Sequence, residues 1–354
     1  MKINFKILIL PLFALLSSCQ LFLGQNPDIS PEEVLRSLWN DFNNIHANLD
    51  FRMCSNAKYN SWYDVYHNPH IGYALNVNSN TSEESLFYVC ASMLKELNDP
   101  HVALYIPGSI SHSYNSREEF KISAIRSLLI DNGNNNYQNF LYGRFENEPD
   151  IGYLYIELFT DETPKSENQE WGKVIDNILY SLASADAIIL DIRSNRGGEI
   201  FVLEYIAARF ASEQKDYIKA RTKSGPGAND LSAPKIYTIK PYKTVSGGLS
   251  GYTKPIILLT NRNSVSAAEW FTLALRTQSH VTHVGTPTCG ALSSRKDRPM
   301  INGWYYSISP ERVTDMNGKY YEGIGISPDE EHIKENITGN EQLDYALELA
   351  VKAK

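Results

Sequence analysis

The sequence predicts an α/β fold: a parallel-sheet core preceded by an N-terminal helical subdomain and a small β-rich segment. Three observations lead there. Ile151–Phe159, Ala187–Ile192 and Pro255–Leu259 are short, nearly continuous apolar runs, as in strands buried on both faces of a parallel sheet. Between them lie helical patterns, with Trp171, Val174, Ile175, Ile178, Leu179 and Leu182 on one face. This alternation implies right-handed crossovers, and 354 residues suffice for one core plus an appendage.

The elements follow in order. Lys2 and Lys6 flank a short apolar stretch from Ile7 to Leu16, too short to span a bilayer, that ends in Leu16-Ser-Ser-Cys19. That tetrad resembles a bacterial lipobox, so residues 1–19 are expected to be a lipoprotein signal with Cys19 lipidated. This implies a membrane-anchored protein of the cell envelope, on the periplasmic face of the outer membrane or the cell surface. A plain secretory signal is the alternative. Residues 20–30 read as a tether. Residues 31–105 form the helical subdomain, where Leu35, Leu38, Trp39 and Phe42 recur at helical spacing, as do Leu86, Val89, Cys90, Met93, Leu94 and Leu97. Asn98-Asp-Pro100 ends the last helix, because a proline pushes its predecessor out of the α region. His101–Ile106 then alternates like a strand. Residues 106–150 are polar with strand-like pieces such as Phe120–Ile125, and residues 151–345 are the core. Within the core Ile200–Phe210 and Ala267–Leu275 read as helices, Val281–Val284 as a strand and 212–251 as a polar stretch.

Composition excludes some functions. A net charge of −8 without a basic stripe argues against nucleic acid. Neither Cys-x-x-Cys nor His-x-x-x-His spacing suggests a metal. Cys54 and Cys90 fall in the helical region and either pair or stay as free thiols.

Two segments carry the candidate chemistry. Asp191-Ile-Arg-Ser-Asn-Arg-Gly-Gly198 follows a strand, and its glycines permit positive φ and close approach of a substrate. Asn263-Ser-Val-Ser-Ala-Ala-Glu269 places Ser266 past a strand end at the first turn of a helix, where the N–H of Ala267 carries partial positive charge. The same Ser266 and Glu269 also fit a helix capping box.

Together these segments resemble the C-terminal-processing-protease and tricorn family of serine peptidases. The match spans roughly residues 31–345 and implies a ClpP/crotonase-like core. It places the nucleophile on Ser266, with Ser264 as the outer serine of the family's Ser-Ala-Ser-Ala-Ser-Glu. The pair of oxyanion donors becomes Gly198 and Ala267, while Asp191, Arg193 and Asn195 brace the turn. The processing-protease branch takes its base from a lysine in Thr-Phe-Gly-Lys; here Thr288-Cys-Gly-Ala291 ends in alanine, and Lys296 lies five residues beyond. The tricorn-like branch uses serine, histidine and glutamate. Leu97-Asn-Asp-Pro-His101 sits where its Leu-Gly-x-Ser-His stands, with Pro100 in place of the serine. Glu322-Gly-Ile-Gly-Ile-Ser-Pro-Asp329 resembles the family's Glu-Gly-x-Gly-x-x-Pro-Asp, so Glu322 becomes the third member. About fifty residues separate His101 from Ile151, too few for the PDZ domain that many members insert. The resemblance implies an endopeptidase acting on peptides or proteins through an acyl-enzyme, without cofactor or metal, whose acid limb is set by an imidazole near its ordinary value of about 6.5. The rival reading is a non-catalytic envelope binding protein that keeps the fold.

Overall fold

The computed structural model describes residues 29–354 apart from 55, 109–110, 114–121, 134–138, 162–170, 243–250, 330–331 and 333–338. The expected signal, lipobox and most of the tether lie outside the described residues. The helical subdomain begins at α1 (Pro31–Ile45), whose start is written in its sequence. Ser30 Oγ accepts from the Glu33 N–H, the Glu33 carboxylate accepts from the Ser30 N–H, and Pro31 occupies the first turn. Next come α2 (Leu49–Cys54), α3 (Trp62–His67) and α4 (Glu83–Lys95). The Trp39 and Trp62 indoles each donate to the other residue's carbonyl, at 2.9 and 3.1 Å, latching α1 to α3. Cys54 is exposed, Cys90 is buried, and both are free thiols.

The strand β1 (Ala103–Tyr105) pairs antiparallel with β2 (Ser111–Ser113). Where the sequence suggests a strand-like piece at Phe120–Ile125, the structure has a short helix, α5 (Ile122–Arg126). The core follows as β3 (Phe140–Arg144), β4 (Ile151–Ile156), α6 (Trp171–Leu182), β5 (Ala187–Asp191) and α7 (Ile200–Ala207). The polar stretch 212–251 contains two strands that sequence reading passed over, β6 (Lys215–Thr222) and β7 (Lys235–Ile239). Then come β8 (Ile256–Thr260), α8 (Ala267–Arg276), β9 (Val281–Gly285), β10 (Lys296–Pro299), β11 (Tyr305–Ile308), β12 (Glu311–Thr314) and α9 (Gly339–Ala353).

The main sheet has the order β3-β4-β5-β8-β9, parallel except for β3. Alternate residues of each strand face opposite layers. Leu154, Ile188, Leu190, Ile256 and Leu258 pack on α6, α7 and α8. Tyr153, Ala187, Ile189, Ile257 and Leu259 pack on α5 and α9. Both faces are therefore covered, which is why these strands read as unbroken apolar runs. This is the α/β architecture the sequence predicts. A second sheet, β10-β11-β1-β2, joins the helical subdomain through Leu104, Trp304, Tyr306 and Ile308. A third, β12-β6-β7, flanks the main sheet's helical face.

Leu190 is fully buried at the centre of this core and Tyr180 is 76% exposed on α6. In urea titrations Leu190→Ala should lose about 2–5 kcal/mol, and Tyr180→Ala should stay within about 0.5 kcal/mol of the parent. Similar losses in the two variants would contradict this layering.

Candidate active site

The neighbouring parallel strands β5 and β8 end side by side, with Asp191 opposite Leu259. Their following loops are bonded to each other. Ser264 Oγ donates to the Ile192 carbonyl at 2.8 Å, the Val265 N–H donates to the Asn195 carbonyl at 2.9 Å, and the Ser194 N–H donates to Asn261 Oδ1 at 3.0 Å. Ser264, the outer serine, is thus a buried tie between loops. Asp191 and Arg193 form a buried ion pair at 2.6 Å, and Tyr153 donates its hydroxyl to the same carboxylate. Asn195 accepts from the Gly197 N–H at 2.8 Å and donates to the Ile156 carbonyl, so these three residues brace the turn.

The glycines are required by backbone geometry. Gly197 and Gly198 sit at φ +95° and +124°, and a Cβ on Gly198 would lie 2.0 Å from the Phe159 carbonyl oxygen. The turn lies against Ser266: a Cβ on Gly197 would meet the Ser266 Cβ at 2.8 Å and the Ala267 nitrogen at 3.1 Å. Ser266 has φ +60° and ψ −118°, a conformation that costs a non-glycine residue about 1–3 kcal/mol. The N–H groups of Gly198 and Ala267 have no acceptor among the described residues. Both residues line the same cleft as Ser266.

The strain at Ser266 is held by Glu269. Its buried carboxylate accepts from the Ser266 N–H at 3.1 Å, from Thr288 Oγ1 and the Gly290 N–H at 2.7 Å, and from the Ala291 N–H at 2.7 Å. Burial pushes the Glu269 carboxyl up, against those four donors. The capping geometry expected at the helix start therefore reaches across to the loop after β9. Sequence reading assigned Glu269 to the cap alone, since nothing local announces the loop partners.

The cleft has a volume of about 1340 Å³ and is lined by Ser266, His101, Gly198 and Ala267, with Pro100, Cys289 and Arg295 nearby. His101 is held by its backbone: its N–H donates to Asp99 Oδ1 at 2.9 Å and its carbonyl accepts from Ser307 Oγ at 2.6 Å. Its Nδ1 is buried without a hydrogen-bond partner among the described residues. Burial lowers the imidazole to about 4, although Asp99 pulls it upward, so it is neutral at physiological pH. The lysine position of the processing-protease branch is filled by the fully buried Ala291. Lys296 is exposed on β10 and does not line the cleft, whereas Lys235 does. The ammonium of Lys235 lies over the Tyr237 ring and is shifted upward, the wrong direction for a base.

Glu322 is buried behind the cleft. Its Oε1 accepts from Arg52 Nη2 at 2.7 Å, and its Oε2 accepts from the Leu292 and Ser293 N–H groups at 2.9 and 3.3 Å. Among the described residues no hydrogen bond joins His101 to Ser266 or to Glu322. The structure thus gathers Ser266, His101, Gly198 and Ala267 around one space and sets Glu322 against Arg52. Sequence reading missed Arg52, Asp99 and His46. His46 Nε2 lies 2.9 Å from Asp99 Oδ2 with both side chains fully buried, and Arg52 lies 3.6 Å from Asp99. The one available signal was a polar Arg, Asp and His in segments otherwise patterned as core.

The profile of peptidase family S41 matches residues 150–332. The chain is similar to the carboxy-terminal processing protease CtpB of Bacillus subtilis strain 168, with 22% identity over 178 residues, 50% of this chain and 33% of that protein. It is also similar to the carboxy-terminal-processing protease of Bartonella bacilliformis, with 27% identity over 186 residues, 52% of this chain and 39% of that protein. The chain spans well under half the length of these curated relatives. In structure it is similar to a candidate peptidase from Parabacteroides merdae, with TM-score 0.71, 25% identity and coverage of 92% of this chain and 96% of that one. Mature CPAF complexed with lactacystin shares the fold, with TM-score 0.62, 13% identity and coverage of 91% and 97%.

Glu269→Gln exchanges one acceptor oxygen for a donor that must face N–H groups. It should lose about 1–3 kcal/mol in urea unfolding and speed amide exchange at Gly290 and Ala291. Parental stability and exchange would refute the role of the carboxylate as the anchor of this loop.

Proposed function

We propose that this chain, which belongs to peptidase family S41, is a serine endopeptidase of the Ser/His/Glu type. The observation that carries the reading is Ser266, strained at a helix N-terminus between two unengaged N–H groups, in one cleft with a neutral histidine. In this reading Ser266 Oγ attacks the scissile carbonyl while His101 takes its proton. The N–H groups of Gly198 and Ala267 receive the developing oxyanion, an interaction worth several kcal/mol in the transition state. His101 then returns the proton to the leaving amine, and water releases the acyl group by the same steps reversed. Glu322 supplies the negative charge that favours the imidazolium. The reading requires His101 to turn toward Ser266 as substrate fills the cleft, since catalytic hydrogen bonds commonly tighten on binding. Peptide or protein substrates follow from it.

One observation favours a second reading: the unbonded Nδ1 of His101 beside Pro100 fits a binding protein that keeps the fold without turnover. A fluorophosphonate probe separates the two, because it labels only an activated serine. Ser266→Ala should abolish labelling and lower kcat/KM for a peptide by at least about 10⁴-fold, with His101→Ala within about tenfold of it and Lys296→Ala near wild type. An unlabelled wild type, or undiminished turnover in Ser266→Ala, would remove the assignment.

The pH dependence distinguishes the two titrating members. Burial keeps His101 neutral down to about 4, but pushes the Glu322 carboxyl upward while Arg52 pulls it back. The carboxylate must be ionised and the imidazole neutral, so each loses function as pH falls through its own value. The group with the raised value sets the acid limb of kcat/KM, which replaces the imidazole near 6.5 expected from sequence. Glu322→Gln should retain part of the activity and shift that limb to more acid pH; an unmoved limb would return it to His101.

We further propose that Cys19 is lipidated and anchors the chain in a bacterial envelope, on the motif Leu16-Ser-Ser-Cys19. Metabolic labelling with an alkyne fatty acid should mark wild type and not Cys19→Ala. Equal labelling of both would end this claim.

A further inference from the structure

One guanidinium near the site has no part in the reaction as written above. Arg52 belongs to α2 of the helical subdomain, and only 4% of its side chain is exposed. Its Nη2 donates to Glu322 Oε1 at 2.7 Å and to the Gly290 carbonyl at 2.9 Å, and its Nη1 donates to the Asn98 carbonyl at 2.8 Å. Those acceptors come from three stretches of chain: the turn that carries His101, the loop held by Glu269, and the segment that carries Glu322. Burying a guanidinium is costly unless its donors are met, and a planar fork meets several directions at once where an ammonium cannot.

Glu322 is faced by Arg52 from α2, Asp99 from the turn before β1, Glu269 from α8, Tyr320 from its own segment, and Cys289 from the loop after β9. Arg52 is the cation among these. His46, which lies against Asp99, is held neutral by burial. Without Arg52, Glu322 would share a dry space with two other carboxyl groups and would hold a proton at neutral pH.

We propose that Arg52 is a positioning residue for the reaction, favouring the charged form of the Glu322 carboxylate and fixing it behind the Leu292–Ser293 wall of the cleft. The carbonyls of Asn98 and Gly290 hold the fork in place for that task. The inference rests on the peptidase reading for its kinetic consequence, but the state of the carboxylate can be read without turnover.

The test compares wild type, Arg52→Gln, Glu322→Gln and the double variant. In Arg52→Gln, kcat at pH 7 should fall about tenfold or more with KM little changed, and the acid limb should move up by about one unit or more, so activity returns at alkaline pH. A merely structural role would lower activity evenly across pH with the limb in place, and that result overturns the proposal. By infrared difference spectroscopy, the protonated-carboxyl band that Glu322→Gln removes should titrate at higher pH in Arg52→Gln than in wild type, where burial already raises Glu322 to about 7, and should be missing from the double variant. A Glu322 band that titrates at the same pH in Arg52→Gln as in wild type also overturns the proposal. The band needs no substrate, so an inactive wild type would sink the peptidase reading and leave this test standing. Should Arg52→Gln fail to fold, the double variant, which buries no lone Glu322 charge, replaces it. The double variant should match Glu322→Gln in kcat and limb within about threefold, and a further tenfold loss would overturn an action through Glu322.

Discussion

The site depends on the parallel pairing of β5 with β8, Ile188 to Asp191 beside Ile256 to Leu259. Two strands side by side in the same sense must end at the same edge of the sheet, so their following loops share one space. One loop is glycine-rich because the Phe159 carbonyl occupies the volume a Cβ would need. The other must turn sharply into α8, which leaves Ser266 at positive φ. Each loop alone is an ordinary strand-to-helix turn. Together, through Ser264 and Val265, they fix two N–H groups and one hydroxyl beside one another. A slip of this pairing by one residue would exchange every core and opposite-face side chain of the strand, so packing on both sheet faces protects the register.

Besides the Asp191–Arg193 pair, charge is buried beneath that edge in two neighbouring clusters, centred on Glu269 and Glu322. Glu269 satisfies three N–H groups and a hydroxyl, and thereby holds the helix start and the loop through Ala291 to one point. The second cluster runs His46, Asp99, Arg52, Glu322 and spans from the helical subdomain to the core. Apolar contacts could join those bodies with less desolvation. Buried ions instead constrain direction: a carboxylate that accepts from a fork and two backbone N–H groups has one orientation. The helical subdomain therefore takes part in the geometry of the site, since the residue opposite Glu322 lies 270 positions earlier in the chain.

The parts legible in the sequence are those with local causes. The β4, β5 and β8 runs, the α6 and α8 faces and the glycine turn all announce themselves by period or by residue type. β6 and β7 did not, because their sheet is largely solvated and Lys215-Asp216 or Lys235 read as loop polarity. α5 was mistaken for a strand, since Phe120-Lys-Ile-Ser-Ala-Ile125 alternates over a stretch too short to separate the two periods. Ser266, His101 and the glycines stood out by motif, whereas Arg52 and Asp99 did not. Their side chains meet partners 53 and 270 positions away, and no periodicity marks such a pairing.

Pro100 links these observations. A serine before His101 would offer a hydroxyl near the imidazole; proline offers none, and the His101 Nδ1 is left buried and unbonded. The same proline stiffens the turn, and Asp99 closes it by accepting the His101 N–H through Oδ1 while its Oδ2 meets His46. The main chain of His101, and not its ring, is thus what the turn holds. That turn is in turn tied to Arg52 through the Asn98 carbonyl. The histidine is placed by chain stiffness and a buried ion network, with its ring freed from any hydrogen bond in the described structure. The proposed chemistry asks that ring to turn toward Ser266, and no side-chain hydrogen bond among the described residues holds it back.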